Sequence, residues 1–97
     1  MIEVNLGLAY LVAGRYEEAL VPLKKALTLI PNHVLAHILL AVCYVELGRL
    51  EEARAEGAEV LRISPTFSLE VARQNWPYKD PAVVERHVAA LRKAGLK

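Results

Sequence analysis

The chain has 97 residues, 55% of them hydrophobic and 24% charged, with a net charge of +1. That length suits one domain, and the near-cancellation of the two signs leaves no electrostatic footprint for DNA or RNA. The single Cys43 excludes an internal disulfide and fits a reducing compartment, so the expected location is cytoplasmic.

The first apolar run does not read as a signal peptide. Glu3, Asn5 and Gly7 interrupt it, and no basic region precedes it. The spacing predicts a first helix over Ile2–Ala13 and a second over roughly Tyr16–Leu29. In the second, Ala19, Leu20, Leu23, Ala26 and Leu27 recur at helical spacing and form the buried stripe. Pro22 inside this helix removes one backbone donor and is expected to kink it. Pro31-Asn32 then breaks the chain.

The next stretch, Val34–Leu47, carries one charge, Glu46, and is apolar on nearly every face. About 14 residues are too few to cross a bilayer, which takes roughly 20. An all-round apolar helix of this length belongs between other helices. A helix over about His33–Leu47 is expected to stop at Gly48. An amphipathic helix over about Leu50–Ile63 follows, with Gly57 inside it as a point of expected loose packing.

A shift of 34 residues lays the chain on itself. Leu6 falls on Leu40, Tyr10 on Tyr44, Gly14 on Gly48, Arg15 on Arg49 and Pro31 on Pro65. Glu17, Glu18 and Ala19 fall on Glu51, Glu52 and Ala53, and Leu27 falls on Leu61. This period is that of a stacked helix–turn–helix unit. Gly7, Ala41, Ala19 and Ala53 are the small residues expected where helices press together, with Tyr10 and Tyr44 filling the wider part of each wedge.

The third unit departs from the pattern. A short helix should begin near Phe67 and end by Asn75 or Trp76, because Pro77 disfavours helical geometry before it. Asp80-Pro81 is an N-cap followed by proline at the first helical position. The last helix, with Val84, Val88 and Leu91 as its stripe, should run to about Ala94 and stop at Gly95. Arrays of this kind need an atypical terminal unit, and residues 66–97 read as that cap, after units over about 1–31 and 32–65.

These residues closely resemble the tetratricopeptide repeat family. Its pattern of Leu-Gly, Tyr, Gly, Ala, Ala and Pro is met by Leu6-Gly7, Tyr10, Gly14, Ala19, Ala26 and Pro31. Leu40, Tyr44, Gly48, Ala53 and Pro65 meet it in the second unit, where Ala41 replaces glycine. Glu3 and His37 stand where the family prefers tryptophan. The resemblance is close over Ile2–Pro65 and looser over Thr66–Leu91. The tail Val71–Leu96 also resembles the closing segment of repeat regions attached to bacterial adenylate or guanylate cyclase-like proteins, which implies a regulatory or scaffolding segment. Met1 falls inside the span expected of the first helix, which fits a piece of a longer array.

The resemblance implies an all-α solenoid of about three helical hairpins, the last shortened, acting in protein–protein interaction. It also implies an inner wall made by the first helix of each unit. That wall would be Val4, Leu8 and Leu11, then Ile38, Val42 and Val45, then Arg73 and Trp76. Of the Lys, Asn and Arg side chains with which family members grip a partner's terminal carboxylate, this wall offers only Asn5 and Arg73. An apolar wall has three explanations: it binds a peptide or amphipathic helix, it joins copies of the chain, or upstream repeats cover it.

The remaining side chains point away from catalysis. No Ser/His/Asp, Cys/His or phosphate-loop spacing is present, and the acidic pairs Glu17-Glu18 and Glu51-Glu52 suit helix starts. His33 and His37 lie four apart without the further ligands a zinc site needs. His37 is expected to fill space between helices and His33 to be an exposed cap. Cys43 is expected to be a buried small side chain, His87 to be solvated, and Trp76 to fold over the last core layer unless it anchors an interface. No cofactor, metal, nucleic acid or membrane partner is expected.

Overall fold

Six helices and no strand make up the chain: α1 (Ile2–Val12), α2 (Tyr16–Leu29), α3 (Val34–Glu46), α4 (Leu50–Ile63), α5 (Leu69–Gln74) and α6 (Pro81–Lys93). The structure is a computed structural model that describes all residues from Met1 to Lys97. The first four helices begin and end within a residue of the expected places, and α2 runs unbroken through Pro22.

The two complete hairpins repeat at the level of single bonds. Gly14 and Gly48 sit at φ +77° and +76°, the left-handed conformation that closes a helix C-terminus. The next amide donates back across the turn in both units, Arg15 to Tyr10 and Arg49 to Tyr44, each at 2.8 Å. Arg15 Nε reaches Glu18 and Arg49 Nε reaches Glu52, both at 2.7 Å. The same two guanidiniums lie over the rings of Tyr10 and Tyr44, 5.2 and 5.0 Å from their centroids.

α3 is the central element. It packs against α1, α2, α4 and α6, and every residue from Ala36 to Tyr44 is buried. The small residues keep the hairpins tight: Gly7, Ala19, Ala41 and Ala53 are buried, and a Cβ on Gly7 would run into the Leu23 side chain.

The third unit closes the molecule. α5 has six residues, too few to cover the exposed flank of the second hairpin, and it packs on α6. The chain turns at Trp76–Tyr78, and α6 returns against α3 and α4. Its stripe holds Val84, His87, Val88 and Leu91, all buried together with Ala94 and Leu96. Two expectations fail here. Gly57 is a site of close approach and not of loose packing, because a Cβ there would overlap the Ala94 carbonyl oxygen at the end of α6. His87 is 1% exposed and not solvated, because it stands on the inner stripe of α6. The resulting body measures 28 × 26 × 25 Å, so α6 folds the stack in on itself.

Candidate partner-binding surface

The side chains expected on an inner wall are covered. Val4, Leu11, Ile38 and Val42 are buried core residues, and Leu8 and Val45 are half-buried against that core. On α3 the covering includes α6, which packs against it, whereas the α1 residues are closed by the packing of α1 on α2 and α3. Trp76 joins the same buried core, and Arg73 is held by acidic side chains. Arg73 pairs with Glu85 at 3.1 Å and Glu70 at 3.7 Å. Trp76 folds inward, edge-on to Tyr78 with ring centroids 5.7 Å apart.

The open apolar surface lies on the other flank, between α1 and α2. Comparing α1 with α3 in the 34-residue register locates it. Ile2 is 80% exposed where its counterpart Ala36 is 0%, and Leu6 is 46% exposed where Leu40 is 1%. Tyr10 is half-buried where Tyr44 is buried. The physical difference is one helix: α2 lies against α3, and nothing lies against the corresponding side of α1. With Val21, 73% exposed on α2, these residues and Pro22 line an open cleft of about 500 Å³, flanked by Glu3, Glu18 and Lys25. That volume falls within the range of ligand clefts. Ile2, Leu6, Tyr10 and Val21 were all absent from the sequence-derived set. The signal that could have found them was the repeat itself, since a face buried in unit two must be open in unit one unless something covers it.

The histidines and the cysteine are engaged within the fold. His33 caps α3, its Nδ1 accepting from the Ala36 amide at 3.3 Å. His37 is held between the Glu56 carboxylate, 2.8 Å from Nδ1, and the Pro31 carbonyl, 2.9 Å from Nε2. No three His, Cys, Asp or Glu side chains gather in a metal-binding group. Burial pushes the Cys43 thiol up to about 12, so it stays protonated and poorly nucleophilic. His87 sits between the hydroxyls of Tyr16 and Tyr78. Burial holds His87 below its ordinary range and raises both tyrosines, a set of neutral groups that suits a locked joint. Glu46 on α3 and Arg86 on α6 pair beside it.

The profile described as "Tetratricopeptide repeat" matches residues 10–72, more than half of the chain. The chain belongs to the tetratricopeptide repeat family. This tetratricopeptide chain is also 43% identical over 44 residues to a protein named "Putative adenylate cyclase 3" from Rhizobium meliloti (strain 1021). The match takes in 45% of this chain and spans 8% of the length of that protein. No solved structure matches the chain. Membership implies a role in protein–protein interaction in general, and tetratricopeptide units are typically non-catalytic. No helix is long and apolar enough to cross a membrane.

Proposed function

We propose that this tetratricopeptide chain is a protein-binding module, working by contact and not by catalysis, and that its partner-receiving surface is the α1–α2 cleft. One observation carries the reading. Ile2 and Leu6 are exposed where their counterparts Ala36 and Leu40 are sealed, so residues 1–97 leave an apolar face of the cleft uncovered. Exposed apolar residues gathered in one concavity mark an interaction site more often than scattered ones do. The setting is cytoplasmic, in keeping with a lone buried thiol. The stretch shared with a protein named as an adenylate cyclase supports a regulatory or scaffolding use beside a larger protein.

The test is a panel of amphipathic helical peptides titrated against the full chain, followed by amide shift mapping. Binding should perturb Ile2, Leu6 and Val21 and weaken at least about tenfold in Leu6→Glu, since a charge would then be desolvated in an apolar cleft. Shifts confined to α3 and α6 would move the site back to the inner wall and end this reading.

A further inference from the structure

We infer that the hydrogen bond between Tyr78 and His87 is an acid-operated latch: a second proton on the imidazole frees the turn carrying Trp76 and Tyr78, while α6 keeps its hold on the first hairpin through Tyr16. The latch is independent of which surface receives a partner.

Four rings stand edge to face in a row. Trp76 meets Tyr78 with centroids 5.7 Å apart, Tyr78 meets His87 at 5.5 Å, and His87 meets Tyr16 at 6.1 Å. The two ends of the row set the direction of its hydrogen bonds. Burial raises Tyr16, and the neighbouring Glu46 carboxylate raises it further by charge and hydrogen bonding. An ionised carboxylate only accepts, so Glu46 claims the Tyr16 O–H. The Tyr16 oxygen is left to accept from Nε2–H of His87, 3.3 Å away. Nδ1 is then bare and accepts from the Tyr78 hydroxyl. The other end fits the same order. The Trp76 indole N–H only donates and is buried without a hydrogen bond of ordinary geometry. It acts on the Tyr78 hydroxyl, opposing the rise that burial imposes there.

A second proton upsets this order at one end only. It goes to Nδ1, the nitrogen without one. The Tyr78 oxygen then faces two N–H groups, and its own proton has no acceptor, which is unfavourable for a group out of water. Nε2–H keeps the Tyr16 oxygen, and the imidazolium is drawn to Glu46 beyond it. Burial opposes the proton most; of the charges that act on the ring, Glu46 on α3 favours it and Arg86 on α6 opposes it. Cys43 on α3 stays neutral, and Arg73 on α5 is engaged by Glu85 and Glu70. Little else ties the turn down. α5 packs appreciably only on α6, and the Asn75 and Trp76 amides donate only to carbonyls of α5.

The closed turn holds His87 below the ordinary 6.5, and the open turn returns it to water. The ratio of open to closed turns is therefore flat above about pH 6.5. Below it the ratio rises by up to about tenfold per pH unit until the folded-state value is reached.

Trp76 is the single tryptophan, so its emission reads the turn in the full chain. Between pH 7.5 and 5.0 the emission should move to the red and acrylamide quenching should rise, both only below about pH 6.5, with helicity unchanged. Amide exchange, corrected for its intrinsic pH dependence, should lose protection at Ala72 and Asn75 while Val88 and Leu91 keep theirs. His87→Gln should abolish the step. Tyr78→Phe should leave Trp76 more open at pH 7.5 and remove the step as well. If both variants fold poorly, the contrast between Asn75 and Leu91 in the parent decides alone. Unchanged emission and exchange down to pH 5.0 would overturn the latch, as would a full-sized step in either variant. Loss of protection in α6 together with α5 would overturn it too, because the whole joint would then be parting.

Discussion

The Tyr16 hydroxyl lies 3.3 Å from Nε2 of His87, 71 positions further along the chain. Tyr16 opens α2 and His87 stands in the middle of α6, so this bond ties the first hairpin to the returning C-terminal helix. Tyr78 takes the other ring nitrogen. Hydroxyls can donate or accept, so two of them satisfy a neutral imidazole without any charge.

The first prediction concerns pH. Burial depresses the folded-state pKa of His87 below the ordinary 6.5. As pH drops through about 6.5, the unfolded chain takes up a proton that the folded chain refuses, and stability falls. Urea denaturation at pH 7.5 and pH 5.0 should show this loss in the parent and a smaller one in His87→Gln. His33 and His37 are present in both proteins, so the difference isolates His87. Equal losses would show that His87 does not control the joint. At pH 7.5 the substitution itself should cost about 1–3 kcal/mol, because it disturbs the hydrogen bonds of two half-buried tyrosines.

Gly57→Ala should destabilise the chain even though alanine is the better helix former. The propensity gain is about 1 kcal/mol. Against it stands the overlap of the new Cβ with the Ala94 carbonyl oxygen, backbone that can yield only if the end of α6 moves. Overpacking of this kind costs about 1–3 kcal/mol, and it should win. The neighbouring exposed Ala58→Gly gives the propensity term alone. A Gly57→Ala chain with a raised melting temperature would show that α6 does not dock tightly on α4.

Four helices of this fold were legible because local rules and the repeat agree on them. Helix periodicity, a left-handed glycine after each first helix and the proline break after each second recur 34 residues apart, and the structure repeats even the Arg–Glu and Arg–Tyr contacts. The position of α6 was not legible. Nothing local says that a helix led by Asp80-Pro81 folds back over α3, and that packing helps close the side of α3 it meets. Val42 and Leu6 look alike in sequence, yet one is core and the other surface. His87 carried a readable sign that its charged neighbours Glu85 and Arg86 masked: with Val84, Val88 and Leu91 it completes an i, i+3, i+4, i+7 stripe. Gly57 was read by its own propensity, whereas its role depends on a backbone 37 positions away.

That contrast between Val42 and Leu6 is itself testable. Val42 is 0% exposed, so Val42→Lys must bury an ammonium or expel the helix around it, and should cost more than about 4 kcal/mol, in the exceptional class for one substitution. Leu6→Lys, at a surface position, should stay within about 1 kcal/mol. Circular dichroism melts of the two variants decide it. A stable, fully helical Val42→Lys chain would mean that the inner wall is open in solution and that α6 is not seated on α3.

The last prediction compares two kinds of ion pair. Arg49 and Glu52 pair at 2.7 Å with both side chains more than a third exposed, whereas His37 and Glu56 pair at 2.8 Å with 7% and 18% exposure. Solvent screens the first, and a double-mutant cycle to alanine should give a coupling of about 0.5 kcal/mol or less. The second also fixes the turn between hairpins, because the other nitrogen of the same ring meets the Pro31 carbonyl. Losing Glu56 therefore loosens a ring that holds two segments, and its cycle with His37 should give about 1–3 kcal/mol, at the upper end for contacting residues. Similar couplings for the two cycles would mean that His37 is a space-filler with no part in holding α4 to the inter-hairpin turn.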